Sequence, residues 1–308
     1  MISRYLSIDK TSRFAVELSG GLDTALIIVL LRAFGIEPIL IGIESSRYEF
    51  RTERAIQEYF RSTARQARLI PQSKIRAFGN LTQVPCHALP DPASLYYVRH
   101  QTIAEMAASL GARHVLTGDT GDNLLSLDIS SAGMEVIRSH DRWGLSKDWV
   151  DTFVYEPLGL HCISAFSLQD VARTLLGMRE GCAADPMKLW ARRQWSALLP
   201  YELSHYAYKA SHDNWIVDCL SLAADEISKV AARAYDMLPI QSLAPAALLQ
   251  DSERYVDLDI QQQHRFLETL AFSTWLHSHA ETNPKGLQSA SYGAADKPDS
   301  RLDGMCAS

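Results

Sequence analysis

FAVELSGGLDTALIIVLL, from Phe14 to Leu31, sets a short apolar segment and a longer one on either side of Ser-Gly-Gly-Leu-Asp. Residues 14–18 read as a buried strand, and residues 24–34 as a helix that is apolar on nearly all sides. Glycines at such a strand-to-helix turn allow positive φ and let the backbone approach a ligand closely. The helix that follows turns its unbonded N–H groups and its dipole toward the turn, which favours an anion. Ser19 adds a hydroxyl, so Ser19, Gly20 and Gly21 form a candidate phosphate cradle. Asp23 fits beside a phosphate when a cation such as Mg²⁺ bridges carboxylate and phosphate oxygens. The spacing is neither G-x-x-x-x-G-K-[ST] nor a G-x-G-x-x-G dinucleotide fingerprint.

Outward from this turn, residues 37–44 (EPILIGIE) read as a second strand. Residues 53–68 are polar enough for an exposed amphipathic helix. A proline-rich stretch over 84–94 leads to a third helix over 94–110, closed by Gly111. Residues 113–119 (RHVLTGD) read as another strand. Strands and helices alternating at this spacing predict an α/β fold, an open, mostly parallel sheet with helices on both faces. The strand signal weakens after about residue 125. A capping box, SLQD at 167–170, starts an expected helix ending near Gly177. Residues 187–279 read as mainly helical. We expect a nucleotide-binding domain over 1–165, a helical extension over 166–280 that completes the substrate site, and a mobile tail or lid over 281–308.

A second constellation repeats the logic of the first. VLTGDTGDN, residues 115–123, ends a strand in a glycine turn that carries Asp119 and Asp122. In an open parallel sheet, ligands sit beyond the carboxyl ends of the strands. Both turns belong on that edge, where Asp23, Asp119 and Asp122 could converge on Mg²⁺ and a polyphosphate.

The 308-residue chain is 47% hydrophobic and carries a formal charge of −6. Nucleic acid is therefore not an expected partner, because duplex binders usually carry a basic excess. Five cysteines, Cys86, Cys162, Cys182, Cys219 and Cys306, are scattered, odd in number and without a C-x-x-C pair. That pattern argues against a zinc cluster and a disulfide scaffold. None of the ten histidines shows metal-ligand spacing. The first ten residues lack a signal core, and no apolar run is long enough to span a bilayer. These features predict a cytoplasmic protein with no membrane partner.

The segments LSGGLDT (18–24) and LPDPASLYYVRHQTIAEMAASLGARHVLTGDTGDNLL (89–125) together resemble the synthetase domain of asparagine synthetases. β-Lactam synthetases and lasso-peptide cyclases share this resemblance, all within the N-type ATP pyrophosphatases, or PP-loop enzymes. The resemblance covers roughly residues 14–130. It implies an adenine nucleotide alpha hydrolase-like fold and an ATP- and Mg²⁺-dependent ligase. Such an enzyme adenylates a carboxylate, releases pyrophosphate, and transfers the acyl group to an amine or ammonia with loss of AMP. It also implies roles by position. Ser19, Gly20, Gly21, Asp23 and Thr24 match the pyrophosphate loop, and Asp23, Asp119 and Asp122 match the metal-holding acids. Leu18 and Ile43 match segments flanking adenine and ribose, and Gly118 a glycine near the nucleotide. Lys285 and Lys209 are the candidates for the lysine that relatives use in acyl transfer.

Three features depart from that family. The loop arrives at residue 19, with no glutaminase domain ahead of it, so nitrogen is expected from ammonia, a substrate amine or a separate amidotransferase subunit. The acidic turn usually reads G-D-G-G-D-E, and here Thr120 and Asn123 replace a glycine and the glutamate. The family's lysine motif is not recognisable around Lys285. Two further readings keep the same loop: adenylation of a nucleobase or carbonyl, and a non-catalytic nucleotide-binding subunit.

Overall fold

The computed structural model describes residues 13–44, 50–75, 77–119, 121, 149–168, 171, 192–193, 195–205 and 213–282. Five strands form one sheet: β1 (Phe14–Glu17), β2 (Ile39–Glu44), β3 (Ala67–Pro71), β4 (His114–Thr117) and β5 (His161–Ser164). Their order is β3-β2-β1-β4-β5, and every pairing is parallel. This is the α/β architecture the sequence predicts. The strand order reverses between β1 and β4, which makes their carboxyl ends the topological switch point.

The two-residue period of a strand sends alternate side chains to opposite faces. Val16 and Leu40 point into one core, shared with helices α1 (Leu22–Ala33) and α2 (Arg51–Thr63) through Ile28, Leu31, Ile56 and Phe60. Ala15, Ile39, Ile41 and Val115 point into the other. There they meet Ile103, Ala104 and Ala107 of helix α3 (Tyr97–Ser109), together with Trp149 and Tyr155. Each fully buried Leu or Ile contributes about 1.5–3 kcal/mol. α1 is buried along most of its length because β1 lies beneath it and residues 199 and 203 cover it.

The C-terminal half is helical: α4 (Tyr201–His205), α5 (Asp213–Leu222), α6 (Ala224–Met237), α7 (Pro245–Glu253) and α8 (Ile260–Thr282). Ile227, Val230, Leu248 and Leu270 form its core, and Phe78, Leu81 and Leu95 from the segment after β3 complete it. None of the described helices is long and apolar enough to cross a membrane.

Several sequence expectations are corrected. The helix expected over 53–68 ends at Thr63, and the chain turns into β3, a strand the sequence reading lacked. The Ser62 and Thr63 hydroxyls donate to Tyr59 and Phe60 carbonyls in the last turn, and Ala64 becomes extended. β5 was likewise not expected, since only four residues, HCIS, carry it. The helix expected from residue 94 begins as a 3₁₀ turn, Pro92–Tyr96, whose N-cap Asp91 accepts from the Ala93 N–H. α1 starts at Leu22, two residues before the expected start. Most of the helix expected after SLQD lies outside the described residues.

Candidate functional site

β1 ends at Glu17, and its buried successor Leu18 donates its N–H to the Ile41 carbonyl at 2.7 Å. The chain then turns at Gly20, with φ +84°. A Cβ there would lie 2.5 Å from the Glu53 carbonyl oxygen, so the loop seats against the first turn of α2 only because it is glycine. Three bonds between neighbours close the loop. The Gly21 N–H donates to Ser19 Oγ at 3.2 Å, Thr24 Oγ1 donates to the Gly21 carbonyl at 3.2 Å, and the two hydroxyls are 3.1 Å apart. Gly21 caps α1 without any side-chain bond, and Asp23 stands in the first turn. The dipole of α1 therefore faces the switch point through backbone alone.

The turn after β4 lies directly beside this loop. A Cβ on Gly118 would be 2.8 Å from Thr24 Cγ2 and 3.3 Å from Asp23 Cβ, and one on Gly121 would be 2.6 Å from Asp23 Cγ. Asp23 thus packs into a notch cut by two glycines, with Asp119 between them in sequence. Asp119 is itself tethered. Its Oδ2 accepts from Thr117 Oγ1 and its carbonyl from Ser164 Oγ, both at 2.8 Å. The Gly121 N–H closes the turn on the Gly118 carbonyl at 3.1 Å.

The structure therefore brings together Leu18, Ser19, Gly20, Gly21, Asp23, Thr24, Gly118 and Asp119. Ile43 belongs to the same edge. Its carbonyl accepts at 2.8 Å from Nε2 of Gln57, which also donates to the Leu18 carbonyl at 3.1 Å. Asp122, Lys209 and Lys285 lie outside the described residues, as do Thr120 and Asn123.

Three contributors escaped the sequence reading. Gln57 is fully buried and ties the ends of β1 and β2 together. Its signal was a polar residue beside Ile56 on the apolar face of α2. Glu17, buried at the end of β1, pairs with Arg99 of α3. Arg192 lies within electrostatic reach of Asp23. Burial lowers the guanidinium from its usual range, and the Asp23 carboxylate opposes that shift. Its Nε is buried without a hydrogen-bond partner among the described residues. No motif announced Arg192, because only folding brings it to the loop.

Chemically, the edge offers the N-terminal turn of a helix, a carboxylate in that turn, a second acidic turn and a half-buried guanidinium. The glycine notch holds Asp23 against the second turn, which suits a shared divalent cation between acids. Comparison of the chain with protein-family models and with curated protein sequences returned no match.

Proposed function

We propose that the chain is an ATP-dependent, AMP-forming amide-bond synthetase. It would adenylate a small-molecule or peptide carboxylate and pass the acyl group to an amine or ammonia. The observation that carries this reading is the packing of Asp23 into the Gly118–Gly121 notch at the switch point of a parallel sheet. The resemblance over residues 18–24 and 89–125 supports the same chemistry.

In this reading a carboxylate oxygen of the substrate attacks the α-phosphorus of ATP, and the bond to the pyrophosphate oxygen breaks. An amine nitrogen then attacks the acyl carbon, AMP leaves with the bond electrons, and the nitrogen loses a proton. The leaving pyrophosphate needs charge neutralised by preorganised donors. The N–H groups of Gly20 and the first turn of α1 are suited to that, with Arg192 nearby. Asp23 and Asp119, with Asp122, would hold Mg²⁺, which supplies Lewis-acid neutralisation of the phosphate oxygens when bound. The Leu18 and Ile43 strand ends, fixed by Gln57, would form the wall for adenine.

ATP–pyrophosphate exchange with a panel of carboxylates tests the proposal. Exchange that depends on one carboxylate, falls at least about a hundred-fold in Asp23→Asn, and weakens in Arg192→Gln supports it. Exchange driven only by a nucleobase, or ATP binding without exchange under any acceptor, overturns it.

A further inference from the structure

The opposite edge of the sheet carries a second set of ligand-type side chains. Asp151, Glu156 and His161 each place one donor atom within 4.8 Å of the other two. They are spaced five and five in DTFVYEPLGLH. An α-helix would spread such residues around its axis. Here residues Asp151–Tyr155 form a single π turn, and Glu156 follows directly after it. A 3₁₀ turn, Glu156–Leu158, and Gly159 at φ +70° then reverse the chain, with the Gly159 N–H donating to the Glu156 carbonyl at 2.9 Å. β5 opens immediately afterwards with His161.

Two of the three donors are held from behind. An Asp151 carboxylate oxygen accepts the Cys162 N–H at 2.8 Å. The His161 ring stacks on His114 at 5.7 Å between centroids, and His114 stacks on Phe14 at 5.2 Å. Nδ1 of His114 is buried in this stack without a hydrogen-bond partner among the described residues. His161 and His114 are register partners at the starts of β5 and β4. The cluster therefore lies a full strand length from the glycine turns.

We propose that Asp151, Glu156 and His161 form a divalent-metal site separate from the nucleotide edge. One imidazole and two carboxylates suit a borderline ion such as Zn²⁺ better than Mg²⁺ or Ca²⁺, which prefer all-oxygen shells. Ligands about 2.1 Å from an ion sit about 3–3.6 Å apart, so modest side-chain rotations close the set. Bound there, the ion cross-links the π turn to the first residue of an edge strand and relieves the repulsion between two neighbouring carboxylates.

The test is calorimetric titration of the full chain, stripped with chelator, with ZnCl₂, alongside thermal melts and the absorption of the Co²⁺ form. Saturable Zn²⁺ binding that raises Tm, with Mg²⁺ giving no such rise, is the expected result. His161→Gln and Glu156→Gln should each weaken it roughly ten-fold or more, with the metal-free Tm unchanged in His161→Gln and unchanged or slightly raised in Glu156→Gln. The visible Co²⁺ spectrum should change in His161→Gln, as loss of a nitrogen ligand requires. Absence of saturable binding, or binding that either variant leaves intact, overturns the site. None of the three readouts involves nucleotide, so the result stands apart from the proposed activity.

Discussion

The two glycine turns at the carboxyl edge are built by different means. The loop after β1 closes on itself: the hydroxyls of Ser19 and Thr24 and the amide of Gly21 bond one another, and Gly20 lies hard against the backbone of α2. The turn after β4 is hung from its surroundings. Thr117 holds the Asp119 side chain from within the strand, and Ser164 holds its carbonyl from β5. One turn takes its shape from local sequence and a tight backbone fit, and the other from the position of the neighbouring strand. The first should therefore fail as structure when altered, and the second as geometry.

Gly20→Ala is the sharpest way to break that contrast. Alanine at positive φ costs about 1–2 kcal/mol, and a Cβ 2.5 Å from a backbone oxygen forces α2 or the loop to move. The expected loss is about 3–4 kcal/mol, a drop in Tm of roughly 5–15 °C by thermal melt. A variant with wild-type Tm would show that the loop is not fitted against α2.

Gln57→Leu should come next, at about 2 kcal/mol. It keeps the volume but removes the donor shared by the Leu18 and Ile43 carbonyls, leaving two strand-end acceptors short of a partner in a buried setting. Denaturant titration would read the loss, and hydrogen exchange at the ends of β1 and β2 should rise with it. A neutral substitution would mean that water replaces the amide there.

The central strands and both turns were legible because burial on two faces writes a continuous apolar run, as in ILIG of β2, and because each apolar run ends in glycines with an acid close by. The edge strands were not. β3 reads ARLIP with Ile70 as its one buried residue, so its signal merged with the polar helix before it. β5 begins with an exposed His161 and buries only Ser164 fully, so it writes no apolar run. The site divides along the same line. Ser19 to Thr24 and Gly118 to Asp119 lie in local motifs, whereas Gln57, Ser164 and Arg192 reach the edge through long-range packing. The Asp151, Glu156 and His161 spacing matches neither a helix nor a strand period, and only the π turn and the reversal after it bring the three together.

Gly121→Ala carries the smallest structural penalty and separates the two turns most finely. The new Cβ would meet Asp23 at its side chain, with Cγ at 2.6 Å and Cβ and Oδ2 at 2.8 Å, rather than a backbone atom. The carboxylate can rotate away, but Asp23 Cβ cannot, so the turn after β4 must also shift slightly; the cost to stability should be about 1–1.5 kcal/mol, and Tm should move by only a few degrees. The rotation takes Asp23 out of the notch, however, and with it the alignment of the first loop's acid against the second turn. If both turns share one cation, Mg²⁺-dependent ATP binding should fall roughly ten-fold while the melt barely changes. Gly20→Ala should instead lose stability and binding together. Equal behaviour of the two variants in both assays would mean that the turns act as one rigid unit, and that the contrast between a self-closed loop and a suspended one has no energetic content.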